Sequence, residues 1–182
     1  FHPRKLLTTG EGGAITFNDD KYMGFIERKL NHGAIVTDGK FDFVDFGYNY
    51  RLPELQCVMG IKQLQKLSSV IQSRNIIREK YIKGLDDLGF KVQNVSKNVI
   101  YNVQSLVFTV PQNIDRDSLV KYLKENGIET TIGTYCLSNT TYYKNKYNCV
   151  QANAQHLEDK TITLPCYENV DVKFICSTIK KY

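Results

Sequence analysis

Apolar positions are most regular in the middle of the chain. Leu55, Val58, Met59, Ile61, Leu64 and Leu67 recur at helical spacing behind Pro53, a residue suited to the first position of a helix. A second helical pattern over residues 71–88 carries Ile71, Ile76, Ile77, Tyr81, Ile82 and Leu85 and closes at Gly89. The simplest meaning of both stripes is core packing. Nearer the start, GAITFN (13–18) has the apolar content and length of a short strand, and Asn18 and Asp19 can cap a helix running to about Leu30. Residues 33–49, rich in Gly, Asp and aromatics, read as a long ordered loop that leads into GYNYRLPELQ, and loops of this length in compact domains are often functional.

Further on, the pattern alternates. It predicts a strand within 101–110, a helix from Asp115 or Asp117 to Asn126, and a short strand at 129–132. An irregular Asn- and Tyr-rich stretch follows, and VDVKFICSTIKKY closes the chain as an amphipathic helix. Strands separated by helices of this length indicate a layered α/β fold. A hinge is expected near residues 72–74, because a helix can bridge two domains without any linker composition, giving domains 1–73 and 74–182.

Composition removes several classes of function. A length of 182 residues with 42% apolar and 24% charged positions describes an ordinary packed protein that can bury one good core. Apolar clusters such as YMGFI, CVMGI and SLVFTV fall far short of the ~20 residues a membrane-spanning helix needs. The five cysteines (Cys57, Cys136, Cys149, Cys166, Cys176) are odd in number and form no CxxC pair, which argues against a disulfide framework or a zinc site and for reduced, cytoplasmic thiols. A net charge of +5 spread as isolated lysines favours no nucleic-acid partner.

Local motifs exclude more than they assign. Gly10-Glu11-Gly12-Gly13 is followed by neither Lys-Ser nor Lys-Thr, so it is not a nucleotide P-loop, and Ile15 stands where a dinucleotide fingerprint needs its third glycine. Read alone, these glycines mean a tight turn. The three histidines (His2, His32, His156) are scattered, and there is no HExxH or GxSxG, so neither a metal hydrolase nor a serine hydrolase leaves a trace.

Four blocks taken together carry more information: FHPRKLLTTGEGG, NHG, GYNYRLPELQ and LPCY. In order and spacing they resemble the DegT/DnrJ/EryC1/StrS family of pyridoxal-phosphate-dependent aminotransferases acting on nucleotide-linked keto sugars. The first block and GYNYRLPELQ carry most of the likeness. The resemblance implies the rear part of a fold-type I aminotransferase, with the end of the large cofactor domain followed by a small C-terminal α/β domain. It implies that Lys5 is the residue holding pyridoxal 5'-phosphate covalently, a role that needs a primary amine able to condense with an aldehyde and later to shuttle a proton. Family members that dehydrate sugars carry histidine at this place, so Lys5 argues for transamination.

By the same resemblance Asn49 reaches the cofactor phosphate of a neighbouring subunit, which implies a homodimer with a shared site, and Arg51 is a candidate contact for a substrate or cofactor phosphate. Tyr135 is a candidate for lining the substrate site. His32, at a helix end, reads as structural, and Ser138 stands near where the family often carries histidine. The amino donor implied is glutamate. The N-terminal half of the family's chain, which supplies the partners of the cofactor ring, has no counterpart here, so the chain reads as a fragment that associates with that half, with a second copy, or with both. A different reading is a non-catalytic remnant of the same fold, serving dimerisation or regulation.

Overall fold

In the computed structural model, which describes residues Phe1–Tyr182, the chain divides into two compact units, Phe1–Leu67 and Ser68–Tyr182. The division falls inside α2 (Glu54–Leu85), one unbroken helix of 32 residues. The two helical patterns of the sequence are thus one element, because Ser68, Ser69 and Val70 include neither proline nor glycine to end a helix. No helix is long and apolar enough to cross a membrane.

In the first unit the Asp19 carboxylate accepts from the Lys21 N–H and caps a single 3-10 turn, Asp20–Tyr22, which continues into α1 (Met23–Leu30). The strand expected at 13–18 does not form. Residues 13–17 carry no regular structure and make no backbone–backbone hydrogen bond. Composition alone does not make a strand; a ladder partner is required, and this segment has none.

The loop expected at 33–49 is largely a hairpin of β1 (Ala34–Thr37) and β2 (Lys40–Phe43), with Thr37 opposite Lys40. Asp38 and Gly39 at its turn have φ of 50° and 74°, the pair of positive values for which Asp-Gly is favoured in two-residue hairpins. The register sets Ala34, Val36, Phe41 and Phe43 on one face and Ile35, Thr37, Lys40 and Asp42 on the other. The first face is wholly apolar, yet Phe41 is 68% exposed. The early part of α2 behaves similarly: Leu55, Val58, Ile61 and Leu64 point to different sides and all are exposed, Leu55 by 78%. Apolar positions spread so widely round a helix are ordinarily covered by other elements, but no apolar side chain of this unit is buried.

The second unit has a complete core. Its antiparallel sheet has the order β3-β4-β6-β5, from β3 (Lys91–Val92), β4 (Leu106–Thr109), β5 (Thr131–Ile132) and β6 (Thr161–Leu164). Alternation along β4 buries Leu106 and Phe108. α3 (Arg116–Glu125), capped by Asp115 through the Ser118 N–H, buries Leu119 and Leu123. α6 (Val172–Lys181), capped by Asp171 through the Phe174 N–H, buries Ile175, Cys176 and Ile179. The last turns of α2 add Ile77, Tyr81 and Leu85, spaced four apart on one stripe. The stretch read as irregular contains α4 (Thr141–Tyr147) and α5 (Ala152–Lys160), with β6 directly behind them.

Tyr81 is fully buried and its hydroxyl donates to the Pro165 carbonyl at 3.1 Å, while burial pushes its pKa far above the usual phenol value. Tyr81→Phe leaves that carbonyl unpaired and should cost about 1–2 kcal/mol. Urea denaturation of the second unit's transition measures it, and an unchanged midpoint would show the bond to be of no consequence.

Candidate active site

Residues 1–12 fold into a closed loop. The Phe1 carbonyl accepts from the Thr9 N–H at 3.1 Å and from the Thr8 hydroxyl at 2.9 Å, and the Phe1 nitrogen donates to the Gly12 carbonyl at 2.8 Å. Gln56 of α2 clamps the far side through Nε2, donating to the Thr9 and Glu11 carbonyls at 3.0 and 3.2 Å. Gly12 has φ 125°, and a Cβ there would lie 2.8 Å from Leu52 Cδ1, so the glycine cluster is what allows the loop to seat against its neighbours. Lys5 ends a tight turn in this loop, its N–H donating to the His2 carbonyl at 3.0 Å. Its side chain is exposed and Nζ has no hydrogen-bond or ion-pair partner in the chain.

Asn49 and Arg51 are positioned by a second device, the interlocking of NHG with GYNYR. The end of α1 and the returning strand-like segment trade backbone bonds: His32 N–H to Tyr48 O at 2.9 Å, Tyr48 N–H to Lys29 O at 2.8 Å and Tyr50 N–H to Leu30 O at 3.0 Å. Asn31 and Asn49 face each other as an isolated antiparallel bridge. Two glycines permit the approach. A Cβ on Gly33 would fall 1.7 Å from the Asp45 carbonyl oxygen, and one on Gly47 2.2 Å from the Gly33 nitrogen. Lys29 pins the loop, pairing with Asp45 at 2.8 Å, donating to Phe46 O at 2.9 Å and lying 3.3 Å from the centre of the Phe46 ring. The Lys29 hydrogen bond, helped by the Phe46 N–H, holds the Asp45 carboxyl below its usual pKa.

Within this clasp Arg51 is fixed by two neutral acceptors, Nε donating to Asn49 Oδ1 at 3.0 Å and Nη1 to Asn31 Oδ1 at 3.1 Å. No carboxylate pairs with its charge. The Asn49 oxygen accepts from Arg51, and its Nδ2 donors remain unpartnered at the surface. An exposed amide donor beside an uncompensated guanidinium is suited to an oxyanion. Arg51 also borders a cavity of about 940 Å³ whose walls include Ile15, Phe17, Met23 and Leu52. Sequence reasoning missed Asn31 and Lys29, which orient Arg51 and the loop; the one local signal was an asparagine ahead of His-Gly at a helix end.

In the second unit Tyr135 is 70% exposed, and it precedes buried Cys136, whose N–H donates to the Glu158 carboxylate. Ser138 accepts from the Gln151 N–H at 2.9 Å and lies 3.2 Å from Cys136 Sγ, so the serine ties two loop segments together. His32 contributes its N–H to the clasp and turns the chain with φ 58°. No group of His, Cys, Asp and Glu side chains is arranged to hold a metal ion.

The model of the DegT/DnrJ/EryC1/StrS aminotransferase family matches residues 1–180. Among curated relatives, the UDP-4-amino-4,6-dideoxy-N-acetyl-beta-L-altrosamine transaminase of Campylobacter jejuni is 27% identical over 98% of this chain and 50% of its own length. The GDP-perosamine synthase of Vibrio cholerae is 28% identical over 100% of this chain and 51% of its own. The chain therefore spans about half the length of the curated relatives it matches. Among solved structures, Helicobacter pylori PseC, an aminotransferase involved in the biosynthesis of pseudoaminic acid, superposes with a TM-score of 0.87 at 22% identity, over 97% of this chain and 50% of that one. The PLP-form of the putative sugar aminotransferase Spr1654 from Streptococcus pneumoniae gives 0.85 at 23% identity, over 100% and 50%. These likenesses show the α/β fold to be that of the C-terminal part of such aminotransferases.

Proposed function

Because the chain belongs to the DegT/DnrJ/EryC1/StrS aminotransferase family, we propose that it is the rear half of a pyridoxal-phosphate-dependent enzyme that moves an amino group from glutamate to a nucleotide-linked keto sugar. The observation that carries this reading is Lys5: an exposed amine with no partner, at the end of a tight turn inside a loop closed by its own hydrogen bonds. The cofactor fits the donor set present, an amine for its aldehyde and the Asn49 Nδ2 and Arg51 donors for its phosphate. When bound, pyridoxal phosphate supplies the aldehyde that takes up the donor's nitrogen and the electron-poor ring that stabilises negative charge beside it.

Lys5 Nζ is then the nucleophile that holds the cofactor and, once displaced, the base that carries a proton from the donor's α-carbon. Asn49 holds a phosphate oxygen of the cofactor in a neighbouring subunit, so that the active unit is a homodimer, and Arg51 contacts a phosphate of the substrate or the cofactor. Tyr135 lines the sugar-binding side. Residues 1–73 form the end of the large cofactor domain and 74–182 the small domain. The bare apolar faces of the hairpin and of early α2 support this reading, since they call for cover by further polypeptide: the preceding half of the large domain and a second copy. Five free thiols suit a cytoplasmic setting.

A panel of amino donors tests the reaction class. With no keto sugar present, glutamate should convert the cofactor of the full-length enzyme to its amine form in a 1:1 ratio with 2-oxoglutarate. Conversion by another amino acid alone would change the donor. A full-length protein that binds no cofactor would favour the non-catalytic module instead.

A further inference from the structure

The second unit has its own closed core, and one feature of its surface has no part in the proposed reaction. α2 and α6 approach closely at Gly84, where a Cβ would lie 2.6 Å from Cys176 Sγ and 3.3 Å from its Cβ. The absent side chain lets the helices meet and leaves a groove above the contact, a cavity of about 850 Å³. Lys80 and Lys83 of α2 line one side, while Lys173 and Lys180 of α6, with Asn169 and Asp171 ahead of it, line the other.

Charge in this groove is unbalanced. Lys80, Lys83 and Lys173 have no carboxylate partner, and only Lys180 is paired, with Asp87 at 2.8 Å. Asp171 accepts the Phe174 N–H at 2.9 Å, so its carboxylate serves as the helix cap. The floor adds no anion, because burial pushes the Cys176 thiol up to about 11 and keeps it protonated at neutral pH. Four lysines from two helices thus line one concave space, three of them without a carboxylate partner, and Asp171 is the one carboxylate in its lining.

We propose that this groove binds a compact multivalent phosphate anion, of the diphosphate class, independently of the cofactor site. Lysine presents a point charge with three donors on a flexible stem, so ammoniums on both rims can close on one diphosphate at once. A flat, extended partner could not use both rims. The groove lies in the second unit, outside the elements assigned to the cofactor, so its occupancy can be read without any assay of transamination.

The test is a titration of the full-length protein with inorganic pyrophosphate, followed by amide chemical shifts, with orthophosphate, a uridine diphosphate and a poly-glutamate peptide as parallel arms. Saturable shifts at residues 80–84 and 169–180 are expected, with pyrophosphate at least tenfold tighter than orthophosphate. Lys83→Gln with Lys173→Gln should weaken it at least tenfold, and both positions are exposed, so the fold should survive the change. Tighter binding of the uridine diphosphate, still lost in the double variant, would identify a nucleotide as the source of the anion. Shifts that never saturate, an unaffected double variant, or poly-glutamate binding more tightly than pyrophosphate would each overturn the proposal.

Discussion

Lys5→Ala should leave the full-length enzyme folded and unable to retain its cofactor. Borohydride, which fixes a lysine-bound pyridoxal group as a stable amine, would then add no mass to the peptide containing position 5. Transamination should fall by roughly 10²–10⁴-fold from loss of the proton shuttle alone, and further from loss of the covalent hold. Stability gives the contrast. The Lys5 side chain is exposed and touches no partner, so its truncation falls in the class of surface changes worth about 0.5 kcal/mol or less. Lys5→Arg sharpens the result, because it keeps the positive charge and removes the condensing amine; it should fail as completely as alanine. Retained labelling at another lysine in either variant would remove Lys5 from the reaction and with it the main support for the enzyme reading.

The reaction assigned to Lys5 was legible only through a resemblance of blocks, and the structure explains why. Nothing in the pattern around one exposed lysine distinguishes it from a solvated surface residue; its setting depends on the Phe1–Gly12 closure and on Gln56, which lies 45 residues from Glu11 in sequence. Helix boundaries, by contrast, were local. Asp19, Asp115 and Asp171 each cap a helix through their own side chains, and Gly89, with φ 78°, ends the turn after α2 as its sequence position indicated.

The hairpin was also local, its Asp38-Gly39 turn being a standard signal, but the aromatic-rich flanks obscured the alternation on either side. The strand read at 13–18 failed for a different reason. Ile15 and Phe17 have the side chains of a buried strand, but pairing is a property of two segments, and no second segment pairs with this one. β6, with its buried Ile162 and Leu164, was hidden by the polar helices α4 and α5 that lead into it. The roles of Lys29 and Asn31 were illegible because each depends on a partner more than a dozen residues away.

Gly33→Ala should be the most damaging single change in the first unit. Two costs coincide at this position. Its φ of 75° is left-handed, which charges an L-residue about 1–2 kcal/mol. In addition, the new methyl would lie 1.7 Å from the Asp45 carbonyl oxygen and 2.4 Å from its carbon, both backbone atoms that cannot turn aside like a side chain. Relief requires the 45–47 segment to lift away, and that breaks the Lys29 pairing and the Tyr48 and Tyr50 bonds to the end of α1. Roughly 3 kcal/mol or more should be lost.

Gly39→Ala separates the two costs, since Gly39 has nearly the same φ, 74°, with nothing within 4 Å of the added carbon. It should cost only the left-handed term. Hydrogen exchange at the His32, Tyr48 and Tyr50 amides reads the difference directly: fast in Gly33→Ala, near normal in Gly39→Ala. Because Asn49 and Arg51 hang on the same ladder, cofactor phosphate affinity should fall with Gly33→Ala and hold with Gly39→Ala. Equal behaviour of the two variants would mean that the glycine pair serves only backbone conformation and that the NHG–GYNYR contact does not position Asn49 and Arg51.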